Sequence, residues 1–271
     1  MKEKRRETSL FSPLPSYLIM INILNIPLYD NTLTSAVKST IKTCLEEKEK
    51  TNRCISATGA HGLVYARKNK DFAEILKNFY WNLPDGMPGV WVGRLKGAKK
   101  MERCYGPDFF RDVLIASADK EIKHYFCGGK EGIAEELKVS CGNKFKNFNI
   151  AGTYSPPFRD MTDGEVKLLT EDINTKNTDI LWIGLSTPKQ EFFAKRLSQF
   201  IRVHFIVAVG AAFDFHTGKV KQAPKLIQKF GLEWFFRLCM EPKRLYKRYA
   251  EIVPLFIYYN LCEFINNKKA L

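Results

Sequence analysis

Six short segments of this chain, at 18–26, 53–57, 123–127, 147–151, 179–184 and 203–209, are apolar nearly from end to end, and stretches of helical periodicity separate them. A strand that is apolar on both faces needs cover on both, which a sheet with one wet face does not give it. The intervening patterns, at 32–49, 60–79, 88–96, 107–118, 130–141, 163–175 and 189–200, supply helices for that cover. The alternation predicts an α/β fold: a Rossmann-like, doubly wound and mostly parallel sheet. Near residue 219 the strands stop, and 224–266 reads as helices, with Pro242 opening a new one because proline is tolerated in a first turn. Two parts are expected: a Rossmann-like domain over 1–218 and a helical basic and aromatic appendage over 219–271.

Lys and Arg total 43 against 29 Asp and Glu, a net charge of +14. Such an excess draws an anionic partner, whether nucleic acid, an anionic membrane surface or phosphate-bearing substrates. Much of it falls in the appendage, where Arg237, Lys243, Arg244, Lys247 and Arg248 interleave with Trp234, Phe235, Tyr246 and Tyr249. That mixture suits amphipathic helices at a membrane interface. A helical cap with aromatics inward and charges in water fits it too. No apolar run reaches the roughly 20 residues of a spanning helix. The apolar N-terminal stretch, broken by Asn22 and Asn25, lacks the cleavage site of a signal peptide. Seven scattered cysteines without a C-x-x-C pair suggest a reducing compartment and no zinc site, with Cys54 and Cys127 as buried thiols. Neither a metal nor a cofactor is expected, since the four histidines show no ligand-like spacing and no D-x-D occurs.

Ligands of open parallel sheets bind beyond the carboxyl ends of the strands. Five segments with polar residues or glycine stand there: Thr58 to His61, Gly128 to Lys130, Gly152 to Tyr154, Gly184 to Glu191, and Gly210 to Asp214. Neither G-x-G-x-x-G nor a P-loop is present, so dinucleotide and ATP fingerprints are missing. In Leu83-Pro84-Asp85-Gly86-Met87-Pro88 the aspartate either fits a tight turn or caps a helix, or serves as a rigidly held general base. Thr187-Pro188-Lys189-Gln190-Glu191 opens a helix, whose free N–H groups suit a diphosphate; an ordinary connection with Thr187 as N-cap and Pro188 at N1 fits as well. Asp214 can bond ribose hydroxyls or cap a turn. Arg103 can pair a phosphate or lie solvated at the surface.

Taken in order, these segments resemble the WecG/TagA/CpsF glycosyltransferase family. The likeness runs through Ala60-His61-Gly62-Leu63-Val64-Tyr65-Ala66-Arg67, the segment around Asp85, Gly106-Pro107-Asp108, Gly128-Gly129-Lys130, Pro188-Lys189-Gln190-Glu191, Phe213-Asp214, Gly231-Leu232-Glu233-Trp234 and Glu241-Pro242. It covers about residues 20 to 260 and is carried by the ordered set rather than by any single motif.

The resemblance implies a metal-independent, inverting transferase that moves a sugar from a UDP-sugar to an undecaprenyl-diphosphate-linked acceptor. It implies Asp85 as catalytic base, Arg103 on the donor phosphate, Gln190 on the nucleotide-sugar and Asp214 near the nucleoside. Arg237, Arg244 and Lys247 would close over the diphosphate. Gly184 and Gly210 belong to the expected binding rim. A Thr-x-Asn segment common in the family is replaced by Ala57-Thr58-Gly59, leaving Thr58 as its substitute and the donor sugar open among N-acetylmannosamine, related hexoses and uronic acids. The expected setting is cytoplasmic, peripheral to the inner face of the plasma membrane, in cell-surface polysaccharide synthesis, with homo-oligomers allowed and no nucleic acid bound. A nucleic-acid-binding α/β protein is the competing class, though it lacks a recognisable reading motif. An epimerase would want a dinucleotide fingerprint.

Overall fold

The structure is a computed structural model describing residues 20–269; expectations on 1–19 and 270–271 lie outside the described residues. The chain opens with a hairpin of β1 (Met20–Ile23) and β2 (Ile26–Tyr29). One strand was expected over 18–26. Leu24 and Asn25 both take positive φ, 53° and 64°, and that two-residue turn reverses the chain instead.

A six-stranded sheet follows, of β3 (Arg53–Thr58), β4 (Trp81–Pro84), β5 (His124–Gly128), β6 (Ile150–Tyr154), β7 (Ile180–Gly184) and β8 (Phe205–Ala208). Its order is β4-β3-β8-β7-β5-β6, and every pairing is parallel. The chain builds one edge first, crosses to build the other, and fills the centre last. β4 went unrecognised in the sequence because its four residues end in proline. Pro84 has no N–H to give, and an edge strand accommodates that.

The central strands alternate between two cores. Leu181 and Ile183 of β7 face a cluster with Leu63, Phe72, Leu169 and Leu197, while Ile180 and Trp182 face one with Phe109, Phe110, Leu137 and Phe213. All five β7 residues are buried, each large apolar side chain contributing roughly 1.5–3 kcal/mol. Cys54 and Cys127 belong to this core, and burial pushes the Cys54 thiol up to about 12.

On the first face lie α2 (Ala60–Lys68), α3 (Lys70–Lys77), α4 (Met87–Leu95), α7 (Asp163–Thr175) and α8 (Lys189–Leu197); on the second, α1 (Leu33–Glu46), α5 (Gly106–Ala116), α6 (Ile133–Phe145) and α9 (Ala212–His216). The helix expected over 60–79 is two helices. Asn69 is extended, and its side chain accepts from the Phe72 amide to cap α3.

The C-terminal helices are α10 (Lys225–Lys229), α11 (Glu233–Met240) and α12 (Pro242–Lys269), the last starting at the expected proline. On α12, Leu245, Ile252 and Phe256 are buried, Glu251 pairs with Lys68, and Glu263 pairs with Lys96 at 2.7 Å. Glu263 also accepts from the Leu24 amide at 3.2 Å. The helix is thus seated against the hairpin, α2 and α4. Among the described residues no helix is long and apolar enough to cross a membrane.

Candidate active site

A cavity of about 1320 Å³ opens over the carboxyl ends of the strands, with α11 and α12 forming its far wall. Pockets for compact ligands run roughly 300–1,000 Å³, so this one has room for more than a nucleotide. Four of the five expected rim segments line it, through Gly59 to His61, Gly129 and Lys130, Gly184 to Gln190, and Gly210, Ala211 and Asp214. The fifth does not, because Gly152 to Tyr154 lie within β6; the segment after them, 156–161, forms the wall there.

Asp85 leaves the end of β4 directly into this cavity. Its Oδ1 accepts the Gly106 amide at 2.8 Å, and its backbone amide donates to Thr58 O at 3.3 Å. The amide reaches Oδ1 because Gly106 has no side chain: a Cβ there would stand 2.9 Å from Val209 O and 3.0 Å from the Ala57 Cβ. Oδ2 lies beside Gly59 and takes no hydrogen bond among the described residues. Burial raises the carboxyl from 3.8 to about 6, against the opposing Gly106 hydrogen bond and the charges of Arg103 and Arg237. The carboxylate is held on one oxygen and open on the other, as proton abstraction requires.

The cations divide into two kinds. All three Arg103 nitrogens are engaged: Nε donates to Asp85 O at 3.0 Å, Nη1 to Gln228 Oε1 at 3.1 Å and Nη2 to Glu233. The Arg237 side chain makes no hydrogen bond among the described residues; it lies over the Phe215 ring at 5.6 Å and acts electrostatically on both Asp85 and Asp214. Arg244 pairs with Glu241 at 2.8 Å yet lines the cavity, as does Arg248 one turn later. Lys247, expected among these groups, is exposed and absent from the cavity wall. Lys247 and Arg248 stand three and four residues after Arg244, so both neighbour it on the helix and spacing does not choose between them. The seat of α12 against the cavity makes the choice.

Gln190 is 1% exposed, and its Oε1 accepts the Gly210 amide at 3.0 Å. Its Nε2 donates to Glu191 Oε1 at 2.9 Å, which also accepts from Ser56 Oγ at 2.9 Å and Thr187 Oγ1 at 3.0 Å. Thr187 therefore is not the N-cap of α8. Pro188 holds that place, after a cis peptide bond and without a side-chain cap. The Gln190 and Glu191 amides already bond Ser186 O and Pro188 O, leaving fewer free donors than expected at this helix start. Thr58, expected to bind substrate, is 3% exposed and turned inward, its hydroxyl 3.1 Å from Ser56 Oγ. Gly184 and Gly210 both line the cavity. Asp214 is half-buried on the wall, pushed up by burial against the charge of Arg244.

Sequence reasoning placed His61 and Glu233 inside motifs without giving either a role, and it missed Trp91. His61 lines the cavity as a neutral imidazole, lowered to about 4 by burial and then by Arg248. Trp91, 46% exposed, joins Leu95, Ile257, Leu261 and Phe264 in an apolar wall between α4 and α12. No motif marks these residues; only the approach of α12 to α4 makes them a surface. Among the described residues no cluster of His, Cys, Asp and Glu could hold a metal ion.

A parallel α/β sheet with an open carboxylate and arginines over its strand ends fits the class of group-transfer enzymes. Residues 21–270 match the glycosyl transferase WecG/TagA/CpsF family, and the chain belongs to it; it is a glycosyltransferase. It is 28% identical over 230 residues, 85% of this chain and 87% of the relative, to the N-acetylglucosaminyldiphosphoundecaprenol N-acetyl-beta-D-mannosaminyltransferase of Bacillus subtilis (strain 168). The enzyme of the same description from Bacillus spizizenii (strain ATCC 23059 / NRRL B-14472 / W23) is 30% identical over 218 residues, covering 79% of this chain and 81% of that one.

Proposed function

We propose that this enzyme moves an N-acetylmannosaminyl or closely related sugar from a UDP-sugar to N-acetylglucosamine carried on a polyprenyl diphosphate. The observation carrying this reading is the open Oδ2 of Asp85 in a cavity that has both unspent arginines and an apolar wall. The arginines suit a diphosphate, the apolar wall suits an isoprenoid chain, and the relatives' names supply the two sugars.

In the proposed reaction, Asp85 Oδ2 takes the proton of the acceptor hydroxyl. The freed oxygen attacks the anomeric carbon from the side opposite UDP, inverting it, and the bond to the diphosphate oxygen breaks. Arg237, Arg244 and Arg248 neutralise the departing charge without a metal. Asp214 suits the ribose, and Gln190 holds Gly210 in shape for the nucleotide. The exposed Phe230, Phe235 and Tyr246, with the cations around them, suit docking of the 219–271 appendage on the anionic inner face of the membrane. A panel of UDP-sugars offered with polyprenyl-diphosphate-linked N-acetylglucosamine, with products read by mass spectrometry, tests the reading. A disaccharide carrying one added N-acetylhexosamine is expected; no product from any donor rejects it.

A further inference from the structure

Arg103 spans two parts of the molecule that its place in the sequence does not connect. One edge of its guanidinium grips the carbonyl of Asp85, and the other reaches Gln228 and Glu233. Gln228 is itself fixed to Ala223 O at 2.6 Å, and the Tyr105 ring lies 4.0 Å beneath the cation. Glu233 is 8% exposed, so its charge is buried against a single cation. A buried pair of this kind contributes little net stability, but it fixes geometry, and loss of either partner strands the other charge.

Glu233 opens α11, and Arg237 follows it by four residues on the same helix. Positions i and i+4 lie on one face, so anchoring Glu233 sets where Arg237 projects. The Arg237 Nε is buried without a partner among the described residues, and its guanidinium bears on both Asp85 and Asp214. The cation with unspent donors is therefore held by the cation whose nitrogens are all engaged.

We propose that Arg103 and Glu233 form a strut that seats α11 against the Asp85 loop and so delivers Arg237 to the leaving group, making both of them positioning residues rather than ligands of the donor phosphate. The inference rests on the transfer reaction given under Proposed function and reassigns the phosphate role expected for Arg103. A lysine could not replace it, because one ammonium cannot reach three acceptors on opposite sides in fixed planar geometry.

The test is a double-mutant cycle on the full chain with Arg103→Gln, Glu233→Gln and the pair together, plus Arg103→Lys. UDP affinity is read by calorimetry, and kcat and KM by sugar transfer across pH. Each single variant is expected to lose about tenfold or more in kcat, with the double no worse than the poorer single, the non-additivity of a coupled pair. Arg103→Lys is not expected to rescue, and the two singles should change UDP affinity alike. The acid limb of the rate profile adds a signature that mere loosening would not give. Asp85 senses the Gly106 amide, Arg103, Glu233 and Arg237, so loss of the Arg103 charge moves the limb up in pH and loss of the Glu233 charge moves it down. The strut is overturned if Arg103→Gln weakens UDP binding about tenfold while Glu233→Gln binds and turns over like wild type, or if the two effects add. Should Arg103→Gln not fold, the near-isosteric Glu233→Gln decides by its kcat alone. Loss of UDP binding in the wild type, or undiminished turnover of Asp85→Asn, would instead remove the reading of the site.

Discussion

Asp85 and Gly106 stand 21 positions apart in the chain and share a 2.8 Å hydrogen bond, amide to Oδ1, at the carboxyl end of β4. That contact fixes which carboxylate oxygen is held and which is open. It also joins the end of β4 to the start of α5, so the geometry of the base depends on how closely a helix approaches the sheet.

Replacing Asp85 by asparagine should lower kcat about 10²–10⁴-fold, the range for loss of a general base, while UDP binding persists. Because the carboxyl titrates near 6, raised from 3.8 by burial, kcat/KM of the wild type should climb with pH through about 6 and level off above it. Stability runs the other way. A folded-state value above the unfolded one gives stability that is present below about 3.8 and lost as pH rises through 6. The difference is worth up to about 3 kcal/mol, halved here for partial solvent access. Asp85→Asn is therefore expected to gain up to about 1.5 kcal/mol near pH 7, measured by denaturant unfolding; a destabilised variant would contradict it.

Gly106→Ala places a methyl group against Val209 O and Ala57. The helix start must retreat, at about 1–3 kcal/mol by analogy with overpacked cores, and the amide must leave Oδ1. Thermal unfolding should show the loss, and turnover should fall even where the variant remains folded.

The register of α12 separates two neighbours. Arg248→Ala should raise the Kd for UDP and lower kcat, since Arg248 lines the cavity, whereas Lys247→Ala should behave as wild type because that side chain stands in solvent. Isothermal titration on both variants checks it, and a larger effect at Lys247 would mean that the helix is rotated from the position described.

Glu191 is 1% exposed and takes three hydrogen bonds on one oxygen, while Oε2 takes none among the described residues. Burial raises its carboxyl above the ordinary value. Glu191→Ala leaves donors from Ser56, Thr187 and Gln190 buried without an acceptor, each costing about 1–3 kcal/mol if nothing replaces it. Chemical denaturation should find it among the most destabilising of the polar substitutions. Glu191→Gln keeps the acceptor oxygen and should lose far less.

The sheet was legible because its central strands are buried on both faces, so their hydrophobicity does not depend on knowing what covers them. Gln190 and Asp214 were legible because they stand in segments after recognised strands, where an open α/β sheet binds ligands, whereas Asp85 was legible only through its turn, bracketed by Pro84, Gly86 and Pro88, and through the family likeness. β4 was not legible: four residues ending in Pro84 carry no periodicity, and only the edge pairing with β3 makes them a strand. The hairpin at Leu24 and Asn25 was hidden for a related reason, since a leucine at positive φ announces nothing.

Residue order alone specified which side chains could do chemistry, because local pattern and charge are written one position at a time. What each does was decided by contacts between distant segments. Packing of α11 and α12 over the strand ends engages Arg103 with Glu233, leaves the Arg237 side chain without a hydrogen bond among the described residues, and brings Arg248 to the cavity where Lys247 was expected, while Thr58 turns inward. The physical reason is that a guanidinium or hydroxyl binds whichever partner tertiary packing brings within about 3 Å, and sequence separation carries no information about that distance.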